Sequence, residues 1–262
     1  MNLNLEGKTA IVCGSTQGIG RAVAVELALL GATVTLMARN EDKLKEVVAE
    51  LATGHGQPHH YVVADFSEPE AVKAAIDAYL SHYSEVHILI NNTGGPAGGP
   101  LLEAGPEEFT KAFAAHLINN QQLVQAVVPA MQRAGYGRIV NIISTSVKQP
   151  IVGLGVSNTI RGAVAQWAKT LSLELGKFGI TVNNVLPGST KTARLDALMA
   201  KGAKESGKPV DAYAAERAAE IPIGRFMEPE EVAAAVAFLC TPAAAAISGI
   251  NVPVDGGKTG GL

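Results

Sequence analysis

Tyrosine is missing from a long central stretch of the chain: none lies between Tyr136 and Tyr213, and aromatic residues make up only 5% of the sequence. Cysteine is scarcer still. Two residues, Cys13 and Cys240, cannot build a disulfide framework, and a reducing cytoplasm is the expected compartment. No excess of positive charge is present: a formal net charge of -3 gives no electrostatic reason to expect nucleic acid or an anionic membrane as partner. Met1 to Lys8 has neither a basic nor an apolar segment of the kind a signal peptide needs. The one long uncharged run, Val232 to Val254, is interrupted by Pro242, Gly249 and Pro253, which suits a helix, a turn and a strand better than a membrane span. His55, His59 and His60 lack carboxylate or cysteine partners at metal-ligand spacing, so no metal site is expected. No G-x-S-x-G elbow supports a hydrolase.

What the chain does have begins at Thr9. Thr9-Ala10-Ile11-Val12-Cys13 reads as a buried strand, Gly14-Ser15-Thr16-Gln17-Gly18-Ile19-Gly20 as a turn, and Arg21 to Leu30 as a helix stopped by Gly31. Gly14 permits a tight exit from the strand, Gly18 removes a side chain where a phosphate could approach, and Gly20 lets helix and sheet pack closely. The helix N-terminus offers free N–H groups and a positive dipole end to a pyrophosphate. The spacing is G-x-x-x-G-x-G, a variant of the general dinucleotide fingerprint.

Further strands are expected at 33–37, 60–64, 87–90, 138–143, 181–186 and 250–254, with helices between them. Asn40 is placed to cap the second helix, and Ser67-Glu68-Pro69-Glu70 has capping-box spacing for the third. A long helix is expected from Pro106 to about Ala134, another over 157–178, and a polar, alanine-rich helical insertion at about 193–221. Strand and helix alternate with no linker and no repeat. The pattern predicts an α/β fold: a single domain over residues 1–262, a doubly wound Rossmann-type parallel sheet of about seven strands with helices on both faces. Ligands of such sheets bind beyond the carboxyl ends of the strands, where the special segments fall.

These segments together resemble the short-chain dehydrogenase/reductase family across nearly the whole chain. The matching pieces are the glycine turn, Asp65 after the third strand, Asn91-Asn92-Thr93-Gly94 after the fourth, Ser144 after the fifth, Pro187-Gly188 after the sixth, and Val254-Asp255-Gly256-Gly257 near the end. The resemblance implies a nicotinamide dinucleotide on Gly14 through Gly20, with Asp65 at the adenine, Asn91 on the adenosine ribose side, Thr93 and Gly94 along the cofactor, and Thr192 at the nicotinamide amide beyond Pro187 and Gly188. As structural alternatives, Asp65 is a loop cap and Asn91 a turn residue. At the end of the second strand, an acidic residue would bind the ribose 2′-hydroxyl, but Ala38-Arg39 stands there. A guanidinium suits a 2′-phosphate, so NADP(H) is favoured over NAD(H), although Arg39 could equally be a solvated surface residue.

The catalytic positions depart from the family pattern. Where the family carries Tyr-x-x-x-Lys, thirteen residues beyond Ser144, this chain reads Ser157-Asn158-Thr159-Ile160-Arg161, and His116 replaces the family's helical asparagine. The sequence is similar to a divergent 3-oxoacyl-(acyl-carrier-protein)-reductase-like subgroup. Serine is a poor acid and arginine does not give up its proton. The expected roles are Ser144 as carbonyl anchor, Ser157 and Arg161 in the exchanged positions with Arg161 at the nicotinamide ribose, and a proton path through His116, titrating near neutrality, or through Lys148. Two readings follow. One is an NADP(H)-dependent oxidoreductase interconverting a small-molecule carbonyl and a secondary alcohol, expected as a homotetramer. The other is a nucleotide-binding protein of regulatory or structural role with little turnover.

Overall fold

The computed structural model describes residues 1–261. Its centre is β1 (Thr9–Cys13), whose side chains are buried on both faces of the sheet: Ala10 and Val12 point to one helical layer, Ile11 and Cys13 to the other. A strand covered on both sides reads as a continuous apolar run, which is why no polar–apolar alternation marks it. After β1 come α1 (Gly18–Leu29), β2 (Thr33–Ala38), α2 (Glu41–Glu50), β3 (His60–Val63), α3 (Pro69–His82) and β4 (Ile88–Asn91). Then follow α4 (Pro106–Phe113), α5 (Asn119–Ala134), β5 (Gly137–Ile142), α6 (Gly155–Leu175), β6 (Ile180–Pro187), α7 (Ala193–Ser206), α8 (Val210–Ala219), α9 (Pro229–Cys240) and β7 (Asn251–Val254).

All pairings are parallel, in the order β3-β2-β1-β4-β5-β6-β7. The order reverses between β1 and β4, which opens a crevice at their carboxyl ends. Leu27, Leu36 and Val236 sit in the core layer under α1, α2 and α9. Ile76, Leu123 and Val182 sit in the layer under α3, α5 and α6. No helix among the described residues is long and apolar enough to cross a membrane.

Local sequence explains most ends. Asn40 Oδ1 accepts from Lys43 N at 3.0 Å and caps α2. The Glu231 carboxylate accepts from Glu228 N at 2.8 Å at the start of α9. Three expectations need correction. The capping box at Ser67 does not form: Ser67 Oγ donates to Asp65 Oδ1 at 2.8 Å instead, and α3 starts on Pro69. The Pro106–Ala134 region is one helical run interrupted by a π-turn at Ala114–Ile118. The insertion is two helices, broken at Gly207, whose φ is +68°, and Pro209.

Candidate functional site

The glycine turn tolerates no added carbon. A Cβ at Gly20 would lie 2.2 Å from the Gly14 carbonyl oxygen, and one at Gly14 (φ +58°) would lie 2.6 Å from Asn92 O. α1 begins at Gly18, three residues earlier than expected, and Gln17 at its N-cap makes no side-chain hydrogen bond, so the first N–H groups stay open to a ligand. Ser15 is buried, and its Oγ accepts from Met37 N at 3.1 Å, anchoring the turn to β2 beside half-buried Thr16. Asn92 Nδ2 donates to the carbonyls of Cys13 and Gly14, both at 3.2 Å, and so ties the loop after β4 to the same turn.

Arg39 is exposed just beyond β2, and its guanidinium has no hydrogen-bond partner among the described residues. Asp65 faces it across the strand ends. The Ser67 backbone N–H and then its hydroxyl hold the Asp65 carboxyl below its ordinary range, with a smaller contribution from Arg39. Asp65 is therefore a loop cap whose Oδ1 is taken by Ser67.

Asn91 is not a turn residue but the last, paired residue of β4. Its side chain is buried in the sheet: Nδ2 donates to Asn141 Oδ1 at 2.8 Å, Asn141 Nδ2 to Asn184 Oδ1 at 2.9 Å, and Asn184 Nδ2 to Asn251 Oδ1 at 2.8 Å. These four asparagines occupy matched register positions on β4, β5, β6 and β7 and form an amide ladder across half the sheet. The Asn91 side chain thus belongs to the core.

Beyond the carboxyl ends of β4, β5 and β6 lies a cavity of about 610 Å³, within the range of small-molecule pockets. Gly14, Gln17, Gly18, Ile19, Thr93 and Gly94 line one side, and Pro187, Gly188 and Thr192 another. The methyl group of Thr192 lies 3.0 Å from where a Gly18 Cβ would be, so the glycine turn and the start of α7 meet at the cavity. Ser144, Ser157 and Arg161 line it as well. Ser144 Oγ accepts from Ser146 N at 3.1 Å, which leaves its own proton free to donate. Arg161, on α6, is buried; Nη1 donates to Ile142 O at 2.9 Å, and Nε has no partner. Burial, and secondarily Arg194, lower its pKa to about 10, so it stays charged at neutral pH.

His116 and Lys148 do not fill their expected roles. His116 sits on the π-turn, 3% exposed, with Nδ1 2.6 Å from Thr93 Oγ1. Burial first, then the charges of Arg161 and Arg194, push its pKa down to about 3 against a small opposing effect of the Gly94 backbone. It is neutral throughout the physiological range and does not titrate near neutrality. Lys148 is exposed at the end of the short helical turn after Ser144 and is not among the residues lining the cavity.

Arg194 was not singled out from the sequence. Its Nη1 donates to Gly95 O at 3.1 Å and its Nη2 to Pro96 O at 3.0 Å, linking α7 to the loop after β4 at the cavity mouth. The available signal is its place in the first turn of α7, where the helix dipole disfavours a cation.

The cradle without Cβ atoms, the open N–H groups of α1 and the free guanidinium of Arg39 fit a phosphorylated dinucleotide. A family model described as Enoyl-(Acyl carrier protein) reductase matches residues 14–259. The 3-oxoacyl-[acyl-carrier-protein] reductase FabG of Aquifex aeolicus is 31% identical over 257 residues, 98% of this chain and 99% of its own. A tropinone reductase homolog of Arabidopsis thaliana is 35% identical over 257 residues, 98% and 94% of the two chains. Among solved structures, L-sorbose reductase from Gluconobacter frateurii, complexed with NADPH and L-sorbose, superposes with a TM-score of 0.93 at 32% identity, covering 100% of both chains. With the sheet order, the glycine turn and these full-length likenesses in agreement, the chain belongs to the short-chain dehydrogenase/reductase family of oxidoreductases.

Proposed function

We propose that this protein is an NADP(H)-dependent oxidoreductase that interconverts a carbonyl and a secondary alcohol on a small molecule, 3-oxoacyl thioesters being one candidate class. The observation that carries the reading is the meeting of Gly18 and Thr192, which makes the glycine cradle and the cavity one continuous groove. The NADPH named with the L-sorbose reductase and the unpaired guanidinium of Arg39 support the phosphorylated cofactor. Gly14, Gly18, Gly20, Thr93, Gly94, Pro187, Gly188 and Thr192 would hold the dinucleotide. When bound, its nicotinamide exchanges a hydride with the carbonyl carbon. Residues 1–262 act as one domain, with α7 and α8 covering the substrate. The two unpaired, buried thiols of Cys13 and Cys240 suit a reducing cytoplasm.

Ser144 Oγ donates a hydrogen bond to the carbonyl oxygen, and Arg161 supplies a fixed positive charge beside it. Preorganised donors of this kind stabilise negative charge developing on oxygen. Ser157 completes the polar wall, and water reaching the cavity mouth delivers the proton.

One observation favours a second reading, nucleotide binding without turnover. No tyrosine lines the cavity, and its sole lysine, Lys258, is paired with Glu220 at 2.9 Å. An NADPH-oxidation screen over β-ketoacyl thioesters, cyclic ketones, quinones and sugars separates the two. We expect one class to be reduced, and Ser144→Ala to slow that reduction by about 10²-fold. Tight NADPH binding with no oxidation across the screen would favour the second reading.

A further inference from the structure

The charge inventory of the cavity is one-sided. Three cationic side chains line it, Arg161, Arg194 and Lys258, and no carboxylate does. Lys258 is answered by Glu220, but neither guanidinium has an ion-pair partner among the described residues. We propose that the cavity selects a substrate carrying a carboxylate, anchored by Arg194 with Arg161 as the second cation. This rests on the oxidoreductase reading of the same site and names its substrate class.

Arg161 sets the requirement. It is 8% exposed, its one protein hydrogen bond goes to a neutral carbonyl, and its Nε is buried without a partner. A buried charge is costly unless an opposite charge or a full set of hydrogen bonds compensates it. A ketone or an alcohol brings no charge. A carboxylate does.

Arg194 has the geometry to deliver it. Two of its five N–H donors are fixed on Gly95 O and Pro96 O, which holds the fork in one orientation and leaves three donors free. The loop is shaped for this side chain: a Cβ on Gly95 would lie 2.9 Å from Arg194 Cζ. As the second residue of α7, Arg194 lies against the helix dipole, so it does not serve the stability of that helix. The same dipole attracts an anion. Beside the polar wall of Ser144 and Ser157 the cavity is lined by Ile143, Leu154, Leu195 and Leu198, so an oxo acid with a short hydrocarbon body fits better than a polyanion.

The phosphates of the cofactor are the other source of negative charge, and the test separates them. The NADPH-loaded protein is titrated with acetoacetate, levulinate and α-ketoisocaproate. Their methyl esters and L-sorbose are the neutral controls, and binding is followed by calorimetry alongside NADPH oxidation. We expect at least one acid to bind about 10- to 100-fold more tightly than its ester, the range of one or two charge-assisted hydrogen bonds. Arg194→Met should bring the acid-to-ester ratio close to one, and Arg194→Lys, which keeps the charge, should retain much of it. The inference is overturned if no acid outbinds its ester. It is also overturned if Arg194→Met weakens NADPH while leaving the ratio intact, since the guanidinium then serves the cofactor, or if Arg194→Lys loses the ratio as completely as Met, since loop packing then explains it. Acid binding without any NADPH oxidation supports the carboxylate site while defeating the oxidoreductase reading.

Discussion

Single side chains in this protein mean what their surroundings make them mean. His116 in isolation is a group that titrates near pH 6.5; on the π-turn, enclosed and facing Arg161 and Arg194, it holds no proton until about pH 3. The consequence for stability has a definite sign. Below pH 6.5 the unfolded chain takes up a proton on this ring that the native state refuses, so stability falls with pH until the native ring also titrates. Between pH 7 and pH 5 the loss amounts to about 2 kcal/mol. Urea unfolding at both values should show this slope in the natural protein and its loss in His116→Asn; identical slopes would contradict the burial argument. The pH–rate profile, in turn, should show no inflection near neutrality from His116. Arg39 is the opposite case, an exposed side chain with no partner, and its value lies in that freedom. NADPH should bind more tightly than NADH, and Arg39→Ala should remove about 1.5–3 kcal/mol of NADPH affinity. Equal dissociation constants for the two cofactors in the natural protein would refute the assignment.

The strands and helices were legible in the sequence because their signals are local. Branched apolar runs placed every strand to within about two residues, and Asn40 marked a helix start that the structure repeats. The departures arise where a distant partner decides. Nothing within Ala114–Ile118 announces a π-turn. α3 begins on Pro69 with Glu68 at its N-cap, which leaves Ser67 one residue outside the capping position. Arg194 reaches carbonyls almost a hundred residues back along the chain, so its role could not be read from neighbours. The asparagine ladder is the clearest example. Asn91, Asn141, Asn184 and Asn251 are far apart in sequence and join only through strand register, which a single sequence does not reveal. Since a one-residue slip would move each amide to the other face, the ladder also fixes that register. Asn141→Leu should strand the Asn91 donor and the Asn184 acceptor, both buried, and destabilise the fold by about 2–6 kcal/mol. Asn251→Leu, at the half-buried end of the ladder, breaks one bond and should have a smaller effect. Chemical denaturation of both variants measures the difference, and equal losses would contradict this accounting by bonds broken.

On the scale of the whole molecule, the helices over the β4–β5–β6 half of the sheet leave apolar side chains uncovered. Leu173 on α6 is 75% exposed, Phe113 at the end of α4 41%, and Ile118 at the end of the π-turn 38%. A helix that packs one face on its own sheet has no structural need for a leucine on the other. A second copy related by a two-fold axis provides one, because an isologous contact pairs each surface with itself in reverse. The homotetramer implied by the family resemblance extends this to two such contacts, the second at the β7 edge, where Ile250 is 42% exposed. Sedimentation at micromolar concentration should therefore show a particle of four chains. Leu173→Glu would set like charges near one another across the axis and should reduce that particle to smaller species. An exposed side chain replaced in the isolated chain changes stability by less than about 0.5 kcal/mol, so the subunit itself should remain folded by circular dichroism. A monomer in the natural protein would refute the assembly. A tetramer that survives Leu173→Glu unchanged would move the interface away from α6 and leave Ile250 and the β7 edge as the surface to be probed.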